Sequence, residues 1–548
     1  MRTPNDSFTL HPALLDHLRY RDELLLKDPR LVYPWWRRPC RVRVLLVTNG
    51  FLDFGPGDFG LSTFVQMLTN DQRYYVRFEI TLAHRGTNVG DPGIAVHRTI
   101  PQFRFDNTDH FSGDLYDQVW LFGADSGGGA LTNAELLTLA GFMNGGGGVF
   151  ATGDHGNLGI GLCGNVLRVR AMRLWDNATG KVGMTDPHRN DTNRAGHDAG
   201  SQFDDQSDDV PQTIAPKLYS NRLGWFWKET YPHPILCSPS GKITVLPDHP
   251  HEGECVTPSS LTTTYLDNSP EFPGGVAPEV IAHSTVPAGN TAGSKQATQA
   301  QTFGAISAYD GHRASVGRVV TDATWHHFVN VNLVGEIFDV DGNRGTTEHY
   351  TKLNGFMSTA TGQQHLKQIK HYYINTAVYL ARPQQQRCFN THYIWDLTFN
   401  HRVIEATTSH ANLDFGRIHP SLLYEIGTHA TDVLGRKAGQ CRRLKFTLDI
   451  FYELEALPDL IPDIDPWISR FDPEEAPLLP WLNLEPLYGI VIGAGLLAVR
   501  EKFLDADVEP DQVEDDDIRR VFVEGARRGL KHGSDSLNRR LEIVNTLR

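Results

Sequence analysis

The sequence lacks long apolar runs and a secretion signal. Residues 1–10 contain no basic region followed by an apolar stretch, so no secretory signal peptide is expected. The most apolar segment, residues 487–499, is broken by glycines and is shorter than the roughly 20 residues that cross a bilayer. We predict a buried helix there. These absences favour a cytoplasmic protein that makes no membrane contact.

Closely spaced cysteine pairs are also missing. The chain has six cysteines and no C-x-x-C motif. The six are Cys40, Cys163, Cys237, Cys255, Cys388 and Cys441. Such wide spacing is more typical of reduced thiols in the cytoplasm than of a disulfide framework or a zinc site. We therefore expect reduced thiols.

Basic residues are fewer than acidic residues in this chain. The chain has 51 Lys and Arg against 65 Asp and Glu, a formal net charge of −14, which argues against a general nucleic-acid-binding surface and leaves a local basic patch open. The glycine-rich loop at 49–60 has neither a Walker lysine nor a G-x-G-x-x-G motif, which argues against a nucleotide. Its backbone N–H groups suit an anion, and Asp53 within it is predicted to contact substrate.

Strands and helices alternate in the first part of the chain. Thr132 followed by Glu135 is a capping-box signal for a helix that runs to about residue 143, and glycines 145–148 end it. The apolar segments predicted as strands are 41–48, 76–82, 118–122 and 149–152. This alternation predicts an α/β fold, a flavodoxin-like parallel sheet flanked by helices.

A length of 548 residues fits about two to four domains. The predicted divisions are a leader (1–40), an α/β domain (41–340) with a large loop-rich insertion (about 170–278), a helical connector (341–399) and a mostly helical C-terminal region (400–548). Strands at 280–283, 302–306 and 318–321 are expected to complete the same sheet. A hairpin is predicted within 235–246.

The C-terminal region contains no recognisable chemistry. We predict a β segment at 443–451 and helices at 487–503 and 516–547, separated by a proline-rich stretch at 457–482 that forbids regular helix. Its simplest role is contact with a second copy of the chain or with a protein partner.

Two segments resemble a known family. Residues 116–155 (YDQVWLFGADSGGGALTNAELLTLAGFMNGGGGVFATGDH) and 317–333 (GRVVTDATWHHFVNVNL) are similar to class I glutamine amidotransferase-like proteins, in particular their ThuA-like branch. The first matches the strand and glycine-rich passage before that family's active-site turn. The second matches the final strand, which a histidine follows. The resemblance implies a site at these two turns and a carbohydrate-like substrate.

The nucleophilic cysteine of that family is missing here. The turn after the strand is Thr152-Gly153-Asp154-His155, so glutamine hydrolysis is not expected. Cys163 lies nearby in Gly-Leu-Cys-Gly, but no strong strand immediately precedes it. A buried, apolar role is favoured over a nucleophilic one.

Residues that follow strands of a parallel sheet are the candidates for catalysis, because ligands bind at the carboxyl ends of such strands. The candidate catalytic residues are Asp154, His155, Asp322, His326 and His327. A His and an Asp side by side suit general acid–base chemistry. The alternative for the second group is an aromatic packing cluster with one hydrogen-bonded imidazole.

Further candidates lie in the insertion. His249 and His251 point to the same side of an extended chain, as two ligands of one divalent metal (Zn²⁺ or Mg²⁺) would, with Asp248 and Glu252 as additional ligands. The alternative is an exposed polar turn held by proline. Arg189, Asp191 and Arg194 are predicted to bind a sugar or carboxylate. The aspartates of 201–212 are favoured as a solvated surface over a Ca²⁺ or Mg²⁺ loop.

Two functions remain open from the sequence. The first is a hydrolase or lyase that acts on a small polar molecule, in which a histidine serves as acid or base and an aspartate orients it. The second is a non-catalytic ligand sensor or scaffold built on an amidotransferase-like domain without its nucleophile. Convergence of the Asp–His turns in one place would favour the enzyme.

Overall fold

The computed structural model describes most of the chain. The described residues are 39–70, 76–127, 129–175, 212–220, 230–247, 253–286, 301–335, 355–408, 418–455, 464–468, 485–504 and 512–546. The protein is of the α/β class, with one central mixed sheet and helices on both faces.

The strands predicted from the sequence within residues 41–340 are present, and further strands lie between them. They are β1 Cys40–Thr48, β2 Val76–His84, β3 Arg98–Ile100, β4 Gln118–Phe122, β5 Gly148–Thr152, β6 Gln212–Pro216, β7 Leu218–Ser220, β8 Thr230–Pro232, β9 Cys237–Ser238, β10 Gly241–Lys242, β11 Val245–Leu246, β12 Glu279–Val286, β13 Gln301–Tyr309 and β14 Val319–Asp322. Every residue of β4 and β5 is buried, as expected for interior parallel strands.

The helices pack around this sheet. They are α1 Ser62–Asn70, α2 Asn133–Asn144, α3 Ile160–Cys163, α4 Val169–Met172, α5 Asn330–Val334, α6 Ala360–Leu380, α7 Pro383–Thr398, α8 His401–Thr408, α9 Pro420–Ala438, α10 Gln440–Glu453, α11 Glu485–Val499 and α12 Asp515–Thr546. The capping box of α2 is confirmed: the Thr132 hydroxyl accepts from the N–H of Glu135, whose carboxylate accepts from the N–H of Thr132. Within the described residues, none of these helices is long and apolar enough to cross a membrane.

The ten-stranded sheet has the order β11-β6-β12-β13-β14-β5-β4-β1-β2-β3. Pairing is parallel from β14 to β3 and antiparallel from β14 to β11. The strands predicted after residue 278 therefore join the same sheet. Two strands inside the predicted insertion, β6 and β11, extend its edge. Of the predicted hairpin, β9 and β10 form an antiparallel pair, whereas β11 pairs with β6.

The β segment predicted at 443–451 is wrong, because these residues belong to α10. Polar and apolar residues alternate there, which is the pattern of a strand. The apolar side chains of Cys441, Leu444, Leu448 and Phe451 nevertheless also recur at helical spacing, and all four are buried. Lys445 and Asp449 form an ion pair one turn apart on the same helix.

The expectation that all six cysteines are reduced is also wrong. Cys40, at the start of β1, forms a disulfide with Cys388 of α7, and their Cα atoms are 6.0 Å apart. The two residues are separated by 348 positions, and such a pairing depends on where the fold brings the two segments. The other four cysteines are buried thiols.

The C-terminal helices pack closely through glycines. Residues 489–499 of α11 are all buried, which confirms the buried helix predicted there. A Cβ atom on Gly427 of α9 would lie 1.9 Å from the carbonyl oxygen of Gly489, and one on Gly493 would lie 1.9 Å from that of Leu423. Side chains on these helices join the core that also covers one face of the sheet.

This close contact gives a test of the helix packing. We expect Gly427→Ala to destabilise the protein by about 1–3 kcal/mol, because the new methyl group must push the backbones of α9 and α11 apart. The matched control is Gly141→Ala in α2, where a Cβ atom meets nothing within 4 Å. That change should stabilise the helix by about 0.5–1 kcal/mol. Guanidinium denaturation followed by circular dichroism measures both, and an unchanged midpoint for Gly427→Ala would contradict the packing.

Candidate active site

Four neighbouring strands end at the same level of the sheet. Thr48 of β1 pairs with Phe122 of β4, Phe122 with Thr152 of β5, and Thr152 with Asp322 of β14. Because these strands are parallel, the residues that follow them lie side by side along one edge. The turn after β5 and the turn after β14, both predicted from the sequence, are therefore neighbours.

Asp154 is the centre of the polar contacts at this edge. Its side chain is 1% exposed. Oδ1 accepts a hydrogen bond from the hydroxyl of Thr324 (2.9 Å), and Oδ2 lies 3.0 Å from Nδ1 of His155 and 3.7 Å from Nε2 of His326. Burial alone would raise the pKa of Asp154, but the hydrogen bond from His155 and the charges of His326 and His155 outweigh it, so the pKa is lowered. The carboxylate is therefore ionised between two imidazoles.

The two histidines differ in orientation and exposure. His155 directs Nδ1 at the carboxylate, which places the proton on Nδ1 and the basic lone pair on Nε2, and its side chain is 32% exposed. His326 is more buried and directs Nδ1 at Oδ1 of Asn332 (2.9 Å). Its ring stacks on Trp325 with centroids 4.1 Å apart. Asp154, His155 and His326 thus form one cluster that solvent reaches through His155.

Glycines allow the turn after β5 to fold tightly. A Cβ atom on Gly153 would lie 2.4 Å from the carbonyl oxygen of Leu158. Gly159 has φ of +93°, and a Cβ atom there would lie 2.7 Å from Cα of Gly153. Side chains are excluded at both positions, so the turn holds Asp154 against the end of β14.

Arg173, which immediately follows α4, joins the two strand ends from within the protein. Its guanidinium donates to the backbone carbonyls of Asp154 (2.8 Å), Asp322 (3.0 Å) and Ala323 (2.6 Å). The group is completely buried and lies over the ring of Trp175. Burial lowers its pKa below the ordinary value of an arginine, yet an arginine remains charged at neutral pH. Nothing in the sequence around Arg173 indicates this role.

Thr324 and Asn332 are two further residues that the sequence did not single out. Thr324 donates to Asp154 and accepts from the N–H of His326, so it sets the distance between them. Thr324 is the N-cap of a short helical turn, Trp325–His327, and threonine is a preferred residue at such a position. This capping preference is the sequence signal that could have identified Thr324.

Aromatic side chains border the cluster on the solvent side. Phe51 and Phe59, in the loop after β1, are 56% and 46% exposed. Each contacts Trp325 edge to face, with centroids 5.5 and 6.0 Å apart, and Phe59 also contacts His326. Exposed aromatic rings beside polar groups are suited to an amphipathic ligand such as a sugar ring.

Asp53 shapes this aromatic loop. Its carboxylate accepts from the N–H of Gly55 and from the side chain of Asn88, both at 2.7 Å. Asn330 donates to the carbonyl oxygens of Gly55 and Gly57 and accepts from the N–H of Thr63, so it links the loop to the start of α1. The described contacts of Asp53 hold the loop and do not reach the Asp154 cluster.

Asp322 and His327 lie one layer deeper than the cluster. Nδ1 of His327 is 2.6 Å from Oδ1 of Asp322, whose other oxygen accepts from the hydroxyl of Tyr372. Neither side chain is exposed to solvent. Of the five candidate catalytic residues, Asp154, His155 and His326 therefore form the cluster that solvent reaches. The buried pair of Asp322 and His327 lies below this cluster and supports the turn after β14.

Cys163 is buried under the same strand ends. Its thiol donates to the carbonyl oxygen of Thr152 at 3.5 Å, and burial raises its pKa to about 12. A thiolate nucleophile is disfavoured there. The buried, apolar role predicted from the sequence is the one that the structure gives.

The remaining predicted site residues lie outside the described residues. They are Arg189, Asp191, Arg194, Asp248, His249, His251 and Glu252. Gly253, which follows the predicted metal-binding segment in sequence, donates its N–H to the carbonyl of Ala323 at the end of β14. Within the described residues, the one group of three or more His, Cys, Asp or Glu side chains with ligand atoms mutually within 4.8 Å is Cys40, Cys388 and His392.

Comparison with models of known protein families gives no match, and comparison with curated proteins gives none either. The likeness to glutamine amidotransferase-like proteins therefore rests on the two sequence segments described above.

The lowered pKa of Asp154 predicts a pH-dependent contribution to stability. A carboxyl group whose folded pKa is below its ordinary value of 3.8 stabilises the fold above that pH, and the contribution is lost as the pH falls through the folded value. We therefore expect Asp154→Asn to be less stable than the wild type at pH 7 and the difference to shrink below about pH 4. Thermal unfolding across this range measures it.

The control for that experiment is Asp91→Asn, which changes an exposed carboxylate. Its difference from the wild type should be small at every pH. A stability difference for Asp154→Asn that stays constant from pH 7 to about pH 3 would contradict the ionised, paired state of Asp154.

Proposed function

We propose that the protein is a hydrolase or lyase that acts on a small polar, carbohydrate-like substrate at the carboxyl ends of the sheet strands. One observation carries this proposal: the buried Asp154 carboxylate lies between two imidazoles, of which that of His155 is accessible to solvent and that of His326 contacts the exposed ring of Phe59. A buried carboxylate that orients a partly exposed histidine is the arrangement of a general acid–base pair.

The strand order supports the location. Without the three-residue β3, the parallel strands lie in the order β2-β1-β4-β5-β14, which corresponds to the 2-1-3-4-5 order of flavodoxin-like sheets. Ligands of such sheets bind beyond the carboxyl ends of the strands. The Asp154 cluster lies at that edge, at the turn which resembles the active-site turn of glutamine amidotransferase-like proteins.

The chemistry follows from the tautomer that Asp154 imposes. With its proton on Nδ1, His155 uses Nε2 to take a proton from water in a hydrolysis, or from the substrate in an elimination. Asp154 stabilises the imidazolium that forms. His326 directs Nδ1 at Asn332 and Nε2 at the same carboxylate, so the imidazolium of His155 returns its proton to the leaving oxygen. No cysteine takes part in this scheme.

A divalent metal remains part of the proposal. Asp248, His249, His251 and Glu252 contain the oxygen and imidazole ligands that Zn²⁺ accepts, and their carboxylates suit Mg²⁺. The metal would polarise a substrate oxygen or activate water.

The second candidate is a non-catalytic ligand sensor or scaffold. It is favoured by the complete burial of Asp322 and His327, which leaves fewer groups for catalysis than the sequence suggested. In this case the aromatic rings and the Asp154 cluster bind a ligand that leaves unchanged, and the C-terminal helices provide the surface for a partner or a second copy.

A substrate screen separates the two candidates. Neutral and acidic sugars, their glycosides and their lactones would be incubated with the protein, with and without Zn²⁺ or Mg²⁺, and products detected by mass spectrometry. For a substrate that is turned over, we expect His155→Gln to lower kcat/KM by about 10²–10⁴, the usual contribution of a general base. His429→Gln, which changes an exposed histidine of α9, is the matched control and should be active.

The outcomes are distinct. Equal turnover by the wild type and His155→Gln would contradict the assigned base. Binding of a sugar without any product, weakened by Asp154→Asn, would favour the sensor.

A further inference from the structure

Three side chains of types that can ligate a metal meet far from the candidate active site. Cys40 is the first residue of β1, and Cys388 and His392 lie one turn apart on the same face of α7. One ligand atom of each lies within 4.8 Å of the other two. Cys40 and His392 are each 3% exposed, and Cys388 is half-buried, so solvent reaches the group on one side.

The disulfide is one of two states open to this group. Reduction of the Cys40–Cys388 bond by a phosphine and water gives two thiols and the phosphine oxide, so that two electrons and two protons pass to the sulfur atoms. The reduced site then contains two thiols beside one imidazole. The Cα atoms, 6.0 Å apart, need no rearrangement for both sulfur atoms to face the same point.

We propose that the reduced protein binds a thiophilic divalent cation, Zn²⁺ in particular, through Cys40, Cys388 and His392. Two thiolates and an imidazole are the ligands that Zn²⁺ prefers, and the set contains no oxygen atom of the kind that Ca²⁺ or Mg²⁺ requires. Sulfur atoms bound to one tetrahedral zinc ion lie about 3.8 Å apart, for a Zn–S distance of about 2.3 Å. The imidazole nitrogen of His392 lies within 4.8 Å of both sulfur atoms, and the sulfur atoms separate to this spacing once the disulfide is reduced.

The buried position favours metal over two free thiolates. Two negative sulfur atoms at a largely buried site would pay a large desolvation cost, and a divalent cation neutralises them. Binding therefore releases the two thiol protons, and affinity rises with pH. Three protein ligands leave one coordination position for water or a fourth ligand.

The location indicates a structural role. Cys40 and the strand-end cluster are at opposite ends of β1, whose nine residues span about 30 Å at roughly 3.3 Å per residue. The group connects the sheet to α7, and α7 packs against the C-terminal helices. Disulfide and metal are thus two forms of the same link, and the proposal is independent of the proposed enzymatic function.

Cobalt binding to the full-length protein tests the proposal. The protein is reduced with a phosphine under argon, freed of reductant and titrated with Co²⁺, whose thiolate charge-transfer absorption reports sulfur ligation. We expect the charge-transfer absorption to correspond to one Co²⁺ bound through sulfur, and Zn²⁺ to displace it. His392→Gln should weaken binding more than about 100-fold, because loss of even an outer partner costs 10–100-fold.

Two controls separate loss of a ligand from loss of the fold. The oxidised His392→Gln protein should still form the Cys40–Cys388 disulfide, which peptide mapping detects. Cys237→Ser, at a buried thiol outside the group, should bind cobalt as the wild type does. The proposal is overturned if the reduced wild type takes up no cobalt, or if His392→Gln retains wild-type affinity while its disulfide forms normally.

Discussion

The guanidinium of Arg173 is the contact on which the candidate site depends. It donates to the backbone carbonyls of Asp154, Asp322 and Ala323, and so ties the ends of β5 and β14 together where they leave the sheet. A buried arginine is costly unless its donors are paired, and here it also bonds to Leu174 and lies over Trp175. Because it engages carbonyl oxygens, it leaves the Asp154 carboxylate to the histidines.

The positions of the turns after β5 and β14 follow from the register of these two strands. Thr152 and Asp322 are paired in the sheet, so the turns that follow them cannot separate, and Thr324 closes the gap by donating to Asp154. The deeper pair of Asp322 and His327 holds the second turn from below. Rigid support of this kind is what a general base requires, because its proton transfer depends on fixed distances.

Local patterns in the sequence predicted much of the fold, and contacts distant in sequence account for what they missed. Short apolar runs located β1, β4 and β5, and the Thr132–Glu135 motif located α2. The antiparallel direction of β12 and β13 was missed, because it depends on how the chain connects the strands. The helix α10 was missed because its alternating pattern suits both a strand and a helix. Position after a strand indicated Asp154 and His326. Arg173 acts on partners up to 150 residues away, and the disulfide spans 348, distances at which no local pattern is informative.

The central claim is that one carboxylate, Asp154, serves both His155 and His326. Nuclear magnetic resonance of protein labelled with ¹⁵N-histidine tests it most directly, with His155→Gln and His326→Gln used to assign the two signals and His429 as an exposed reference. The account predicts that both imidazole titrations move to lower pH in Asp154→Asn, because each loses the same negative charge. A shift in only one of them, or in neither, would contradict it.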